Sequence, residues 1–164
     1  MLEFTRTHKY FEQILMVCRS VAKKDSNRFS MKYIEVNDKH IVATDGHRLA
    51  CLDNFGIEPG QYIPVKVTKS KIQIESTEIK GNFPKYQDIM PASTMKTERA
   101  IMPDHPDHPL SLLVFGIAKH GACVKVSYAK DFMACDSYYV ISKNRPVAFY
   151  AKNFVGIIMP INVE

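Results

Sequence analysis

The chain has 164 residues, of which 46% are hydrophobic and 24% are charged, and its formal net charge at pH 7 is +5. This length suits one compact domain or two small lobes, and the composition excludes an intrinsically disordered chain. The mild basic excess permits binding to nucleic acid without predicting it. No apolar run approaches the roughly 20 residues that cross a bilayer, and the first residues lack the apolar core of a signal peptide. The sequence therefore predicts a cytoplasmic protein with no membrane partner.

The first half of the chain predicts one helix and several strands. Apolar residues recur at helical spacing over residues 8–24, with Thr7 as the N-cap. Strands are predicted where apolar residues alternate between turn residues. They cover residues 2–6, 28–36, 40–44 and 48–52, followed by a hairpin of 62–67 and 71–75.

The second half begins with a proline-rich connector, residues 81–108. A second helix is predicted to start at Pro109, because proline suits the first helical turn, and to stop at Gly121. Strands follow at 122–128, 135–141, 146–150 and 154–161. The repeated order of strand, helix and strands predicts an α+β fold with two lobes, each with one helix packed on an antiparallel β-sheet.

The four cysteines show no CxxC spacing, so the sequence predicts neither a zinc site nor a disulfide framework. Each has apolar neighbours and is predicted to be a reduced core residue. They are Cys18, Cys51, Cys123 and Cys135. No cofactor and no metal is predicted.

Residues 43–50, with the sequence ATDGHRLA, predict a strand, a tight turn in which Gly46 permits a positive φ, and another strand. The turn displays a hydroxyl, a carboxylate, an imidazole and a guanidinium within a few residues. Asp45 and His47 could form an acid/base pair or bind a metal ion. No nucleophile or third ligand is suitably spaced, so a structural turn is the favoured interpretation and no catalytic residue is predicted.

The ATDGHRLA segment resembles the signature of the bacterial sliding clamp, the beta subunit of DNA polymerase III and its processivity factor. Residues 83–91, FPKYQDIMP, are similar to the interdomain connector of that family. Residues 154–161, FVGIIMPI, are similar to its extreme C-terminus. The three matches occur in the family's order. The resemblance implies a DNA-clamp-like fold and a non-enzymatic protein of DNA replication.

In this family the three segments form a pocket that binds short peptide motifs of DNA polymerases and of the clamp loader. Carried over by motif, the resemblance implies a peptide-binding set of twelve residues. The set is Met31, Thr44, Gly46, His47, Arg48, Leu49, Pro84, Ile89, Ile157, Ile158, Met159 and Pro160. For Ile157, Ile158 and Met159, a plain core strand is the alternative interpretation.

The chain departs from the family in length, because the family's protomer has three domains and two protomers close a ring around DNA. Residues 1–53 resemble the first lobe of the middle domain, and residues 104–164 resemble the second lobe of the last domain. Residues 54–103, which hold a hairpin and the connector, join them within a single clamp-like domain. The alternative function is a true processivity factor. Because the chain is short, it would form a homo-oligomeric ring of several copies. Asp88 and Asn162 also stand where the family tends to have arginine.

The family also encircles double-stranded DNA, which it contacts through basic side chains on phosphates. The residues here that could do so lie on or just after the first helix: Lys9, Arg19, Lys23, Lys24, Arg28 and Phe29. The resemblance implies weak, sequence-independent and salt-sensitive binding. A solvated helix face is the alternative.

The loop 104–109, with the sequence DHPDHP, brings carboxylates and imidazoles close together, as a metal site would. The prolines force an extended path that separates neighbouring side chains. A solvent-exposed loop that caps the second helix is the favoured interpretation. An enzyme built on Asp45, His47 and this loop is the remaining alternative.

Overall fold

The computed structural model describes residues 1–24, 26–78, 81–91 and 99–162. The chain divides into two compact units, residues 1–85 and residues 86–164. The boundary lies within the predicted connector. Each unit is an α+β structure with antiparallel strands, which confirms the predicted fold class.

In its described residues, the first unit is an antiparallel sheet with one α-helix packed on it. Its elements are β1 (Leu2–Thr5), α1 (Phe11–Arg19), β2 (Ile34–Val36), β3 (His40–Thr44), β4 (Arg48–Asp53), β5 (Gly60–Val67) and β6 (Lys71–Thr77). The strands pair in the order β1-β6-β5-β2-β3-β4. Helix α1 packs on β3, β4 and β5.

Helix α1 buries most of its length because its apolar residues recur every three or four positions. The buried side chains are Phe11, Ile14, Leu15, Met16, Val17 and Cys18. The helix begins later than predicted, with Tyr10 rather than Thr7 at the N-cap, and it ends at Arg19. Beyond that end, the hydroxyl of the fully buried Ser20 donates to the carbonyl oxygen of Met16 at 2.9 Å.

The second unit contains two helices and a four-stranded sheet among its described residues. Its elements are β7 (Ala100–Ile101), α2 (Pro109–Lys119), α3 (Val126–Asp131), β8 (Ser137–Val140), β9 (Val147–Ala151) and β10 (Phe154–Ile158). The strands are antiparallel in the order β10-β9-β8-β7. The core centres on Phe132, whose ring stacks on Phe149 at 5.4 Å between centroids and lies 6.1 Å from the ring of Phe154.

Two of the predicted strands differ most from the structure. Residues 28–36 contain a 3₁₀-helix at Phe29–Met31, and only Ile34–Val36 form a strand. Residues 122–128 form no strand, and helix α3 begins at Val126 instead. The described part of the second unit therefore has two α-helices where the sequence predicts one.

The cysteines are free thiols, and three of the four lie in the core as predicted. Burial raises the pKa of the Cys18 and Cys51 thiols to about 12, and it raises the pKa of Cys135 as well. The prediction is wrong for Cys123, which is exposed. Cys123 stands between the buried residues Ala122 and Val124, and in an extended segment alternate side chains point in opposite directions.

Candidate functional site

The turn between β3 and β4 is held by the side chain of Asp45. One carboxylate oxygen of Asp45 accepts the backbone N–H groups of His47 at 2.9 Å and Arg48 at 3.1 Å. The other accepts the Nε–H of Arg48 at 3.2 Å, in an ion pair whose side chains are only 10% and 14% exposed. Asparagine and aspartate favour turns because they bond to backbone N–H groups two and three residues on. Asp45 is thus a structural turn residue, as favoured from the sequence.

Because Gly46 has no side chain, the side chains of Arg28 and Met31 can lie close to this turn. Its φ is +89°, in the left-handed region that glycine enters without steric cost. A Cβ atom at this position would lie 1.7 Å from Nη1 of Arg28 and 3.5 Å from the sulfur of Met31. Nη1 of Arg28 donates to the carbonyl oxygen of Asp45 at 3.0 Å. Arg28, predicted from the sequence as a DNA contact, therefore lies beside the predicted peptide-binding residues Gly46 and Met31.

Arg48 connects the turn to helix α1. Its guanidinium donates to the carbonyl oxygen of Arg19, the last residue of the helix. The last carbonyl groups of a helix have no partner within the helix, so this bond caps the C-terminus of α1. Arg48 and Arg19 are both partly buried. The bond between them therefore stabilises the first unit. It comes in addition to the peptide contact predicted for Arg48 and the DNA contact predicted for Arg19.

The turn leaves few side chains accessible. His47 and Gly46 are exposed and Met31 is half-buried. Leu49 and Thr44 are buried, and the Thr44 hydroxyl donates to the carbonyl of Arg48 at 2.6 Å and accepts the N–H of Gly46 at 3.1 Å. Thr44 and Leu49 can therefore support a ligand-binding surface, whereas His47 can touch a ligand directly.

The connector residues lie on either side of the unit boundary. In the first unit, the ring of Phe83 is 6.0 Å from that of the buried Tyr33, and the following Pro84 is half-buried. Burial raises the pKa of the Tyr33 hydroxyl, and the nearby Glu35 adds to this effect. In the second unit, Ile89 ends a short 3₁₀-helix, and its side chain is 42% exposed.

The C-terminal segment runs from the core of the second unit to its surface. Ile157 and Ile158, the last residues of β10, are buried. Met159 is 41% exposed and Pro160 is half-buried. The backbone N–H of Ile161 donates to the carbonyl of Cys123 at 2.7 Å, which holds the segment to the second unit. The core-strand alternative fits Ile157 and Ile158, and Met159 is the predicted residue here that offers the most accessible side chain.

The residues predicted to contact DNA lie on the first unit. Lys9, Lys23, Lys24 and Phe29 are exposed, and the side chain of Phe29 is 74% exposed. Lys32, which the sequence analysis did not select, donates from Nζ to the carbonyl of Lys24 at 2.7 Å and lies 4.4 Å from the centroid of the Phe29 ring.

The loop 104–109 has its own internal bonds. Nδ1 of His105 accepts the backbone N–H groups of Asp107 at 3.2 Å and His108 at 3.3 Å, and the two imidazole rings stack at 5.8 Å. Among the described residues, no group of three or more His, Cys, Asp or Glu side chains could hold a metal ion. The loop precedes α2, whose N-cap is His108.

None of the helices in the described part of the chain is long and apolar enough to span a membrane.

No protein-family model and no curated protein matches this sequence. Solved structures of bacterial sliding clamps do match it. The DNA polymerase III beta subunit of Borrelia burgdorferi, in complex with a natural product, has a TM-score of 0.59 at 14% identity, covering 100% of this chain and 65% of that one. The Pseudomonas aeruginosa sliding clamp with a ligand has a TM-score of 0.60 at 15% identity, with coverages of 99% and 66%. The Bartonella birtlesii clamp bound to griselimycin has a TM-score of 0.56 at 14% identity, with coverages of 98% and 66%.

This chain therefore spans slightly less than two thirds of each of these clamps. At such identities the likeness is one of fold, and it confirms the resemblance that the three sequence motifs indicate. The chain has the fold of the bacterial sliding clamps, the beta subunits of DNA polymerase III.

Proposed function

We propose that this chain is a non-enzymatic binding protein of DNA replication. It presents a peptide-binding surface of the sliding-clamp type to short linear motifs of DNA polymerase or clamp-loader proteins. The observation that carries this function is the turn at residues 44–49, which Asp45, Arg28 and Arg48 hold in place while the imidazole of His47 remains exposed. The clamp fold, and the clamps solved with bound ligands, support the same function.

The chemistry of the accessible residues suits an extended peptide. Met31 beside the turn and Met159 after β10 offer flexible, polarisable side chains that adapt to varied apolar anchors. His47 can bond to the polar groups of such a peptide. Peptides with one or two apolar anchors and a specific polar contact are recognised by surfaces of this kind. The turn belongs to the first unit and Met159 to the second, so a separate substitution tests each.

Fluorescence polarisation of a labelled peptide, with a glutamine followed by leucine and phenylalanine anchors, tests this function. The full chain is expected to bind with a dissociation constant in the micromolar range, worth roughly 8 kcal/mol. His47→Ala and Met159→Ala are each expected to weaken binding by about tenfold, the loss of roughly 1.4 kcal/mol that one good contact contributes.

The matched controls replace residues of similar chemistry and exposure elsewhere. His120 is exposed and Val65 is 50% exposed, and His120→Ala and Val65→Ala are expected to leave the affinity unchanged. Absence of binding by the folded wild-type chain would rule out the peptide-binding function. If the variants lose no more affinity than their controls, His47 and Met159 do not belong to the binding surface.

A second candidate function, weak contact with double-stranded DNA, is favoured by the basic surface of the first unit. Lys23 and Lys24 are exposed, and Lys32 reaches the backbone of Lys24. Because each phosphate contact releases a counterion, the slope of log K against log salt measures how many contacts form, at about −0.9 per contact. The double variant Lys23→Gln, Lys24→Gln is expected to reduce the slope by up to about 1.8 in a salt titration with labelled duplex DNA.

The control for the DNA measurement is the double variant Lys39→Gln, Lys69→Gln, which removes two exposed charges from turns of the same unit. This control is expected to change the slope of log K against log salt less than the Lys23→Gln, Lys24→Gln variant does. Equal slopes for both double variants would show that binding, if present, does not use the predicted lysines.

A homo-oligomeric ring that encircles DNA, and a cytoplasmic location, stay predictions from the sequence. The chain spans slightly less than two thirds of the Borrelia burgdorferi clamp that it matches. The mass of the protein in solution is the first test of a ring, because a monomer cannot encircle DNA.

A further inference from the structure

Helix α2 has an apolar surface on the side that faces away from its unit. The ten residues from Pro109 to Ala118 include no charged side chain. Leu113 and Ile117 are buried, as expected for the inner face of a helix, but Leu112 is 44% exposed and Phe115 is 65% exposed. Leu112 and Phe115 are three positions apart, so they lie on the same face. An exposed helix face normally carries charged and polar side chains, whereas between Pro109 and Ala118 the one exposed polar side chain is that of Ser111.

The charges around this helix are segregated by sign. Asp104 and Asp107 precede its N-terminus along the chain, Lys119 is its last residue, and Lys125 follows six residues later. All four residues are exposed. Along the chain, the segment is therefore acidic before α2, apolar through it and basic from its last residue onward.

We infer that a second copy of this chain covers the exposed face of α2, with the two helices antiparallel about a two-fold axis. A two-fold interface uses the same patch on both subunits, so the patch must be complementary to itself. An antiparallel arrangement meets this condition, because it places the acidic end of each helix against the basic end of the other and Phe115 near the middle. A parallel arrangement would place like charges together, which is unfavourable.

The expected dimer is weak and reversible. Helix α2 has 11 residues and is roughly 16 Å long at about 1.5 Å per residue. An interface built mainly on one such face falls below the roughly 1,200 Å² of buried surface that is typical of stable complexes. Association in the micromolar range or weaker is expected, and it depends on residues outside the predicted peptide-binding set, so it is independent of the proposed function.

Sedimentation equilibrium of the full chain over a wide concentration range tests the dimer. The average mass of the wild type is expected to rise from monomer to dimer and to level off there. Phe115→Asp, which places a charge in the apolar middle, is expected to raise the dissociation constant at least tenfold, as truncation of a central contact does. Lys69→Asp, a control on an exposed turn of the first unit, is expected to leave it unchanged.

The antiparallel arrangement has a sharper test in charge reversal. Asp107→Lys removes the net negative charge before α2, because Asp104 remains, and Lys119→Asp removes the net positive charge at its end, because Lys125 remains. Each variant alone is expected to associate more weakly than the wild type. An equimolar mixture of the two is expected to form heterodimers, because the two substituted positions then face each other with opposite charges and the unchanged ends also pair opposite charges.

A wild type that is monomeric throughout would overturn the inference and leave the α2 face to a different partner. A larger assembly that is insensitive to Phe115→Asp would also overturn it, because such an assembly would use another surface. Failure of the charge-reversed mixture to associate would overturn the antiparallel arrangement. Circular dichroism of each variant establishes that a loss of association is not a loss of folding.

Discussion

Replacing Phe132 with alanine is expected to lower the free energy of unfolding of the second unit by about 3 to 5 kcal/mol, the usual cost of removing a buried phenylalanine ring. Phe132 is completely buried and stacks on Phe149 with an interplanar angle of 19°. The loss combines the transfer energy of the ring with the cavity that it leaves. Because natural domains have only about 5 to 15 kcal/mol of stability, the variant is expected to unfold at much lower urea concentration. Amide hydrogen exchange, resolved by mass spectrometry, measures the loss in each unit separately.

Gly156 provides an internal check on the same packing. A Cβ atom at Gly156 would lie 2.6 Å from one ring carbon of Phe132 and 2.8 Å from another, closer than packed atoms can approach. Gly156→Ala alone is therefore expected to cost about 1 to 3 kcal/mol by overpacking. In the Phe132→Ala background the added methyl group enters the cavity, so its cost should fall, and the two changes should be non-additive.

The matched control is Phe115→Ala, which removes the same ring from a position that is 65% exposed. Below the concentration at which chains associate, its effect should stay within about 0.5 kcal/mol, as for most surface substitutions. Comparable losses at Phe115 and Phe132, or strict additivity with Gly156→Ala, would contradict the packing of this core.

Elements that are specified by neighbouring residues could be predicted from the sequence. Helix α2 begins at Pro109 and ends just before Gly121, as predicted. The fixed φ of proline suits the first helical turn, and Gly121 adopts a φ of +82° after the last one. These are properties of single residues, so no knowledge of the tertiary structure is needed to use them.

The predicted strand at 122–128 shows where such local reasoning fails. The buried Ala122 and Val124 alternate with exposed neighbours, which is typical of a strand. The alternation instead marks a short extended segment, after which the N–H of Tyr128 bonds to the carbonyl of Lys125 and α3 begins. Alternation over so few residues does not distinguish the two cases.

The candidate site likewise contains some contacts that could be predicted from the sequence and others that could not. The bonds from Asp45 to the backbone two and three residues away follow from its type and position, so the structural turn could be predicted. The bond from Arg28 to the carbonyl of Asp45 spans 17 residues, and that from Arg48 to Arg19 spans 29. Contacts at such separations depend on how α1 packs on the sheet. No local pattern could have predicted that Arg28 bonds to the turn.

Asp45→Ala is expected to destabilise the first unit by about 1 to 2 kcal/mol, because the N–H groups of His47 and Arg48 and the guanidinium of Arg48 lose their acceptor. The change should act locally first. The amide protons of His47 and Arg48 are expected to exchange with solvent faster in the variant, as measured by nuclear magnetic resonance. Because the turn then no longer fixes the position of His47, the affinity for the labelled peptide should also fall.

Asp45→Asn separates the backbone bonds from the charge. The amide oxygen of asparagine can still accept the N–H groups of His47 and Arg48, whereas the ion pair with the Arg48 guanidinium is lost. The asparagine variant should therefore protect both amide protons almost as well as the wild type and lose only about 0.5 to 1 kcal/mol. Asp38→Ala, at an exposed turn between β2 and β3, is the control and should have little effect. If asparagine is as disruptive as alanine, the ion pair rather than the backbone bonds holds the turn; if neither variant changes the exchange of these amide protons, Asp45 does not organise it.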